Sequence, residues 1–188
     1  MVSNASFPMP NEVQSDSFAE KRWLAALSRG DSSALAGIYD IYGERIFRYA
    51  YRMLGNRSDA EDITADTFLR VLKRSHELRA DGAFRTWLFR ITRNLCIDKL
   101  RQQKLLELPP DMPYNVSDDR GIIRLTVRQA LSELPMEYRD PLVLCDLEEL
   151  AAKEAAEVLQ ISVPALKSRL YRGRRALRDK LKGLDKTL

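Results

Sequence analysis

Apolar residues recur every three to four positions along most of this chain, which is the spacing of amphipathic α-helices. No segment shows the alternation of Val, Ile and Thr that is typical of a β-strand. The spacing predicts a short first helix that begins at Ser17 and ends at Gly30, and a longer second helix that begins at Asp31 and ends at Gly55. Ser and Asp are favoured at helix starts and Gly just past helix ends, so each limit has a physical reason.

Two further helices follow in the first half of the chain. Ser58 and Glu61 have the spacing of a capping box, which would open the third helix. The pair Asp81-Gly82 predicts a turn, and a fourth amphipathic helix follows over about 84–102.

The composition changes after the fourth helix. Three prolines interrupt the periodicity between residues 104 and 120, which indicates a flexible linker. We therefore expect an all-α protein of two small helical domains. The expected parts are a disordered acidic tail over 1–16, a helical domain over 17–103, the linker over 104–120, and a second domain over 121–183.

The second domain shows the pattern of four helices with a helix-turn-helix. A helix that resumes at Gly121 would be cut by Pro135. A second would begin near Asp140, which is a good cap before Pro141 at the first helical position. Two more helices are expected over about 150–159 and 164–182.

Composition narrows the class of protein. The chain has 188 residues with 45% hydrophobic and 31% charged positions, and it has no apolar run long enough to span a membrane and no signal-peptide pattern, so we expect a cytoplasmic protein. Its only histidine is His76, and Cys96 and Cys145 lie far apart in apolar patterns. These residues supply neither the ligands of a metal site nor a Ser/His/Asp triad, and they form no disulfide framework. The sequence also has no motif that binds a cofactor. We therefore expect neither an enzyme nor a small-molecule substrate.

Charge is segregated near the C-terminus. Residues 126–162 hold three bases and eight acids, whereas residues 163–182 hold eight bases and one acid. Such an oriented basic helix, as the second helix of a helix-turn-helix, is typical of DNA binding. A solvated basic face is the alternative interpretation. The side chains left for the outside of this helix are Lys167, Ser168, Tyr171, Arg172, Arg174 and Arg175.

The third predicted helix carries a cluster of acids in its first two turns. Acids at this end suit the helix dipole, which is the simpler explanation. Asp62, Asp66 and Leu69 would nevertheless share one face, which is a workable surface for docking a partner.

The fourth predicted helix combines bases with flat side chains. Positive charge holds a nucleic-acid backbone, and aromatic or amide groups can accept an unstacked base, so the composition fits melted or single-stranded DNA. The alternative is that the aromatic residues are core, and we expect this for Trp87 more than for Phe84, which lies at the junction with the preceding loop.

Several of these segments, in this order, resemble the extracytoplasmic-function (ECF) sigma factors of the bacterial sigma-70 family. The similarity extends from about Ala34 to Lys182. It rests on segments 39–47, 59–68, 84–98, 131–138 and 167–172, which begin Tyr-Asp-Ile-Tyr, Asp-Ala-Glu-Asp, Phe-Arg-Thr-Trp, Leu-Ser-Glu-Leu and Lys-Ser-Arg-Leu.

The resemblance implies a promoter-specificity subunit that binds core RNA polymerase through the clamp helices of the largest subunit and the β flap. It implies that the polymerase-binding residues are Asp59, Glu61, Asp62, Asp66 and Phe68. It also implies that the −10 element is bound by Phe84, Arg85, Thr86, Trp87, Arg90, Arg93 and Asn94. The base-reading positions for the −35 element would be Lys167, Ser168, Tyr171 and Arg172, with Arg174 and Arg175 nearer the backbone. An anti-sigma factor is a further implied partner.

Two departures from the family pattern concern the helix-turn-helix. Gln160 stands where many members have Gly, and Ala151 stands where many have a Ser or Thr cap. We expect the motif to be intact but less stable, because both changes cost free energy. The segment 164–166 also departs from the usual Gly-Thr-Val, which bears on the pitch of the recognition helix.

A second function is compatible with part of the sequence. A stand-alone helix-turn-helix regulator with a helical sensor domain would bind duplex DNA without polymerase. The first domain argues against it, because a sensor has no reason to combine an acidic docking helix with a basic, aromatic-lined one.

Overall fold

The fold is described by a computed structural model for residues 12–77, 83–105 and 127–184, and all regular structure in these ranges is helical. This agrees with the all-α prediction. The helices, in chain order, are α1 (Glu12–Ser28), α2 (Ala34–Leu54), α3 (Arg57–Lys73), a 3-10 turn (Ser75–Glu77), α4 (Phe84–Leu105), α5 (127–132), α6 (Met136–Leu142), a π-helical turn (Val143–Leu147), α7 (Ala152–Leu159) and α8 (Val163–Leu184).

The start of the chain differs from the prediction. Helix α1 begins at Glu12, so Ser17 is not its cap and the expected disordered tail over 1–16 is wrong for its last five residues. Residues 1–11 lie outside the described part. Helix α2 begins at Ala34 and not at Asp31, whose carboxylate instead stabilises the turn before the helix by accepting from the Ser33 backbone N–H at 3.0 Å.

The junction between α2 and α3 is tighter than predicted. Gly55 ends α2 at φ 75°, a left-handed conformation that favours Gly, as its position in the sequence predicted. The side chain of Asn56 then accepts from the Asp59 N–H at 2.8 Å and caps α3. The predicted cap at Ser58 is wrong, because Asn56 is an equally good cap and comes directly after the left-handed turn.

The first domain packs α2 between α1, α3 and α4. Its core includes Ile46, Tyr49 and Met53 of α2 and Leu88 and Phe89 of α4, all almost fully buried. The predicted turn at 81–82 lies outside the described residues.

Helix α6 corrects a predicted boundary. Pro135 does end the preceding helix, but α6 runs from Met136 to Leu142 with Pro141 inside it. Asp140 is therefore not a cap; it is 1% exposed and faces the first domain. Pro141 is the sixth of the seven residues of α6, so its missing N–H leaves one intrahelical hydrogen bond unmade just before the chain passes into the π-helical turn at Val143.

The helix-turn-helix is formed by α7 and α8. Ala151 makes no side-chain cap, and the Glu154 carboxylate accepts from its N–H at 2.8 Å instead. Gln160 ends α7 at φ 55°, so a non-glycine residue does occupy the strained corner position. Helix α8 approaches α6 closely at Gly173, where an added Cβ would lie 3.2 Å from the Tyr138 carbonyl oxygen.

The two domains pack against each other. Helix α4 lies against α7, and α2 contacts the π-helical turn, so their buried side chains form one continuous cluster. The expected linker over 104–120 lies outside the described residues, except that 104 and 105 belong to α4. None of the described helices combines the length and apolarity that crossing a membrane would require.

Candidate functional site

Three arginines of α2 converge on one carboxylate of the second domain. Arg45, Arg48 and Arg52 are spaced so that they share one face of the helix. The side chain of Glu148 is fully buried, and its Oε2 lies 3.7 Å from both Arg45 Nε and Arg48 Nη2. Arg52 donates to Oε1 of the same carboxylate. Burial raises the pKa of Glu148 although the three guanidinium groups oppose this shift.

A second buried carboxylate joins α6 to both α2 and α4. Asp140 Oδ1 accepts from the Tyr49 hydroxyl at 2.8 Å, and Oδ2 accepts from Arg93 Nε at 2.6 Å. Burial raises the pKa of Asp140, and the positive charge of Arg93 opposes the shift. Burial also raises the pKa of Tyr49 well above its ordinary value, so this hydroxyl stays protonated and donates.

A third carboxylate performs two tasks. Glu154 accepts from Arg85 through both oxygens, with Arg85 Nε at 3.1 Å from Oε1. Its Oε2 also accepts the Ala151 N–H, so the residue that replaces the missing cap of α7 holds the first turn of α4. We call Arg45, Arg48, Arg52, Arg85 and Arg93 the arginine face, and Asp140, Glu148 and Glu154 the second-domain carboxylates.

The structure packs both aromatic residues at the start of α4 against the core, and it buries Phe84 more deeply than expected. Phe84 is 3% exposed and packs edge-on against Tyr42, with ring centroids 5.6 Å apart. Trp87, which was expected in the core, is half-buried, and the Arg74 guanidinium lies 5.8 Å from the centre of its ring. Phe84 points toward α2 because it lies one turn before the buried Leu88.

The remaining −10 candidates differ in accessibility. Thr86 is buried at 3% exposure, so it offers no contact surface here. Arg90 is half-buried and Asn94 is exposed. Arg85 and Arg93 are held by second-domain carboxylates, as described above. The −10 candidates of α4 therefore fall into three groups: some side chains are buried, some are paired with second-domain carboxylates, and some are accessible to DNA.

The acidic cluster of α3 has two open members. Asp62 and Asp66 are exposed and make no hydrogen bond or ion pair within the described ranges. Glu61 pairs with Arg57 at 2.8 Å. Asp59 is bound by Lys99 at 2.7 Å and by Gln103 at 2.6 Å. The hydrogen bond to Asp59 raises the pKa of Lys99.

Phe68 was expected at the docking surface, but the structure buries it at 4% exposure. Its ring packs under Tyr39, with centroids 4.8 Å apart. Tyr39 and Leu69 are each about half exposed, at 50% and 51%. The apolar part of this surface is therefore formed by Tyr39 and Leu69, and Phe68 supports Tyr39 from below.

The outer side of α8 is open at almost every predicted position. Leu166 and Leu170 are buried, as the spacing predicted. Tyr171 is 70% exposed. Only Arg174 of the predicted set has an ion-pair partner in the described residues, a bidentate pair with Asp146 at 2.6 and 2.9 Å. We call this surface the recognition face. Its exposed residues are Lys167, Ser168, Tyr171, Arg172, Arg174 and Arg175.

Sequence reasoning missed the three arginines of α2. Their i, i+3, i+7 spacing was a usable signal, because it places them on one face of a helix. Nothing local to Glu148 identified it as their partner, since the contact joins residues about a hundred positions apart.

Two family models match the chain. The model of sigma-70 region 2 matches residues 38–105, and the model of sigma-70 region 4 matches residues 124–177. The first therefore contains most of α2 and all of α3 and α4, and the second contains most of the helix-turn-helix domain.

Curated relatives agree with these matches. The chain is 34% identical over 182 residues to the ECF RNA polymerase sigma factor SigW of Bacillus subtilis, and the alignment covers 87% of this chain and 97% of SigW. It is 36% identical over 166 residues to the ECF RNA polymerase sigma factor SigE of Mycolicibacterium smegmatis, covering 81% of this chain and 64% of SigE.

Solved structures share the fold. CnrH, solved in complex with the cytosolic domain of CnrY, matches with a TM-score of 0.72 and 25% identity, over 88% of this chain and 98% of CnrH. The sigma factor RpoE, solved with the anti-sigma factor NepR from Bartonella quintana, matches with a TM-score of 0.70 and 19% identity, over 77% of this chain and 94% of RpoE.

Proposed function

The chain belongs to the ECF sigma factors of the sigma-70 family, and from this premise we propose how its surfaces divide the work of transcription initiation. The protein is a transcription initiation factor that binds core RNA polymerase, directs it to promoters through the −35 and −10 elements, and promotes DNA opening. It is a non-enzymatic, cytoplasmic factor. Residues 17–103 form the polymerase and −10 domain, and residues 121–183 form the −35 domain.

The polymerase docks on α3 and the adjacent part of α2. Asp62 and Asp66 supply the charge, because they are exposed and have no ion-pair partner in the described ranges. Leu69 supplies exposed apolar surface on the same face of α3, and Tyr39 supplies more on the α2 side of that helix, against Phe68. Asp59 and Glu61 contribute to the acidic field, and Phe68 acts by supporting Tyr39. The partner surface on the polymerase is the clamp helices of its largest subunit.

The −10 element is held by the first turns of α4. Trp87 offers a half-exposed ring for stacking an unpaired base, and Asn94 offers an exposed amide. Arg85, Arg90 and Arg93 hold the backbone of the opened strand. Phe84 and Thr86 support this surface from the core, where the structure buries them.

The −35 element is read by the recognition face. Lys167, Ser168, Tyr171 and Arg172 lie in the first half of α8, which is the part of a recognition helix that reaches base edges in the major groove. Arg174 and Arg175 lie nearer the backbone phosphates. The second domain also contacts the β flap of the polymerase.

The exposed acidic pair of α3 carries the polymerase-binding assignment, and a charge reversal tests it. We expect Asp62→Arg with Asp66→Arg to abolish co-elution with sigma-free core polymerase in size-exclusion chromatography, whereas the wild type co-elutes at near 1:1. The matched control is Glu137→Arg with Glu157→Arg, which makes the same change in net charge at exposed sites of the second domain. Unchanged core binding by the first variant would remove the docking assignment. Separation of the folded wild type from the polymerase would favour the stand-alone regulator.

An inhibitor is a further proposed partner. CnrH was solved with the cytosolic domain of CnrY, and RpoE was solved with an anti-sigma factor. By similarity to the fold of these proteins, we propose that an anti-sigma factor binds this chain and withholds it from the polymerase.

A further inference from the structure

We propose that the arginine face is one phosphate-binding surface for promoter DNA, that Arg45, Arg48 and Arg52 of α2 belong to it, and that the second-domain carboxylates occupy it in the free chain. This inference rests on the proposed function through the roles given there to Arg85 and Arg93. It adds three residues of another helix to the DNA-binding surface and names the internal ligand that DNA must displace.

The five arginines of the arginine face form one surface. All of them bind acids of the short segment 140–154, although they come from two helices. Tyr49 of α2 and Arg93 of α4 share Asp140, and the Arg45 guanidinium lies 5.8 Å from the ring centre of Phe89 of α4, so the α2 and α4 parts adjoin each other. A strand whose phosphates lie along the α4 part therefore has the α2 arginines beside its path.

Carboxylate and phosphate groups compete for the same guanidinium N–H donors. A guanidinium group binds either anion through two parallel N–H donors, and it stays charged at any pH of interest. Arg85 already makes this forked contact with Glu154. The second-domain carboxylates therefore occupy the positions that phosphate oxygens would take.

The contact between the second-domain carboxylates and the arginine face is stable enough to exclude DNA from the free chain, yet DNA can displace it. Glu148 and Asp140 lose hydration when they are buried, and this cost offsets much of their attraction to the arginines. The two domains belong to one chain, however, so the carboxylates act at a high effective concentration. DNA binds the arginine face only when the second domain moves away.

A titration with single-stranded DNA tests the competition without knowledge of the promoter. The probe is a fluorescein-labelled dT 20-mer, and its anisotropy is followed with the full-length protein. We expect Glu148→Gln with Glu154→Gln to lower Kd about tenfold, because an occupied surface binds only through its open fraction. The matched control, Glu137→Gln with Glu157→Gln, also removes two negative charges, and we expect it to change Kd by less than about twofold in moderate salt.

A second variant tests the α2 arginines directly. In the Glu148→Gln, Glu154→Gln background, we expect Arg48→Ala with Arg52→Ala to reduce the slope of log Kd against log salt by about 1.4, which corresponds to two phosphate contacts on a single strand. The control in the same background is Arg29→Ala with Arg70→Ala, which removes two exposed arginines, one in the turn after α1 and one on α3. This control should leave the slope unchanged.

The outcomes separate this inference from the proposed function. The inference would be overturned if the Glu148/Glu154 and Glu137/Glu157 variants lowered Kd equally. It would also be overturned if removal of Arg48 and Arg52 left the slope of log Kd against log salt unchanged. If thermal melting shows that Glu148→Gln unfolds the chain, Glu154→Gln alone, whose amide oxygen can still accept the Ala151 N–H, should lower Kd about threefold. The titration contains no polymerase, so failed docking on the polymerase would leave these results standing.

Discussion

The two basic surfaces of this protein differ in what holds their cations. The arginine face lies between the domains, and its five side chains contact three carboxylates of the second domain. The recognition face of α8 is exposed, and only Arg174 of its cations is paired within the described residues. Two basic surfaces of similar charge in the sequence therefore differ in how accessible their cations are in the folded chain.

The acidic segment before α8 explains this difference. Its acids are divided between two directions: Asp140, Glu148 and Glu154 bind the first domain, whereas Glu133 and Asp146 bind Lys180 and Arg174 of α8. The inward acids occupy Arg85 and Arg93, two of the cations proposed to hold the −10 strand, and the outward ones leave the predicted base-reading positions free. The recognition face can therefore read the −35 element before the −10 element is bound.

The largest expected effect comes from breaking the buried contact at Asp140. Arg93→Ala leaves a 1% exposed carboxylate without its cation, and removing one partner of a buried pair costs about 3 kcal/mol. We expect urea unfolding to show this loss. Adding Asp140→Asn should restore part of it, because the uncompensated charge is then removed. Wild-type stability in Arg93→Ala would contradict the buried pair.

A smaller effect is expected at the recognition face, and it concerns specificity. Lys167→Ala and Arg172→Ala should each cost about 1–3 kcal/mol of discrimination at one base pair, as measured by selection from random duplex DNA. Arg178→Ala, at the exposed far end of α8, should weaken binding to all sequences alike. A uniform loss from the first two variants would make them phosphate contacts. Neutralising Glu148 and Glu154 should leave duplex recognition unchanged, since this face is already open.

The smallest expected effect comes from a substitution in the second domain, which should leave the arginine face of the first domain unchanged. Gln160→Gly should stabilise the helix-turn-helix by about 1 kcal/mol, because Gly adopts the left-handed conformation at φ 55° without a Cβ clash. Thermal melting measures the gain. Lys153→Gly, at an exposed position with helical backbone in the first turn of α7, should instead lose up to about 1 kcal/mol. A loss in both variants would mean that the corner is not strained.

Periodicity predicted the helices well, because burial of one helical face depends on local spacing. The long helices and the helix-turn-helix were predicted, as were the buried Leu166 and Leu170 and the strained corner at Gln160. Helix starts were less predictable. Asn56 and Ser58 are both good caps, and the choice between them depended on the left-handed Gly55 before them.

Contacts between the domains could not be predicted from sequence. Asp140 has the local pattern of a cap, yet its carboxylate binds residues far earlier in the chain. Phe84 and Trp87 are both aromatic and close together on α4, and only the position of α2 decides that Phe84 is the buried one. The exposure of candidate site residues is thus a property of the packed molecule, and sequence alone assigned it wrongly for Phe68 and Phe84.

The distance between the two domains tests the central claim most directly. Spin labels at Arg70→Cys on α3 and Arg178→Cys on α8, both exposed sites, would report it by pulsed electron paramagnetic resonance in a Cys145→Ser background. We predict one narrow distance in the free chain, replaced by a longer and broader distribution when the dT 20-mer saturates the protein. A broad distribution in the free chain, or a narrow distance that persists with DNA bound, would contradict the claim that the second domain occupies the arginine face.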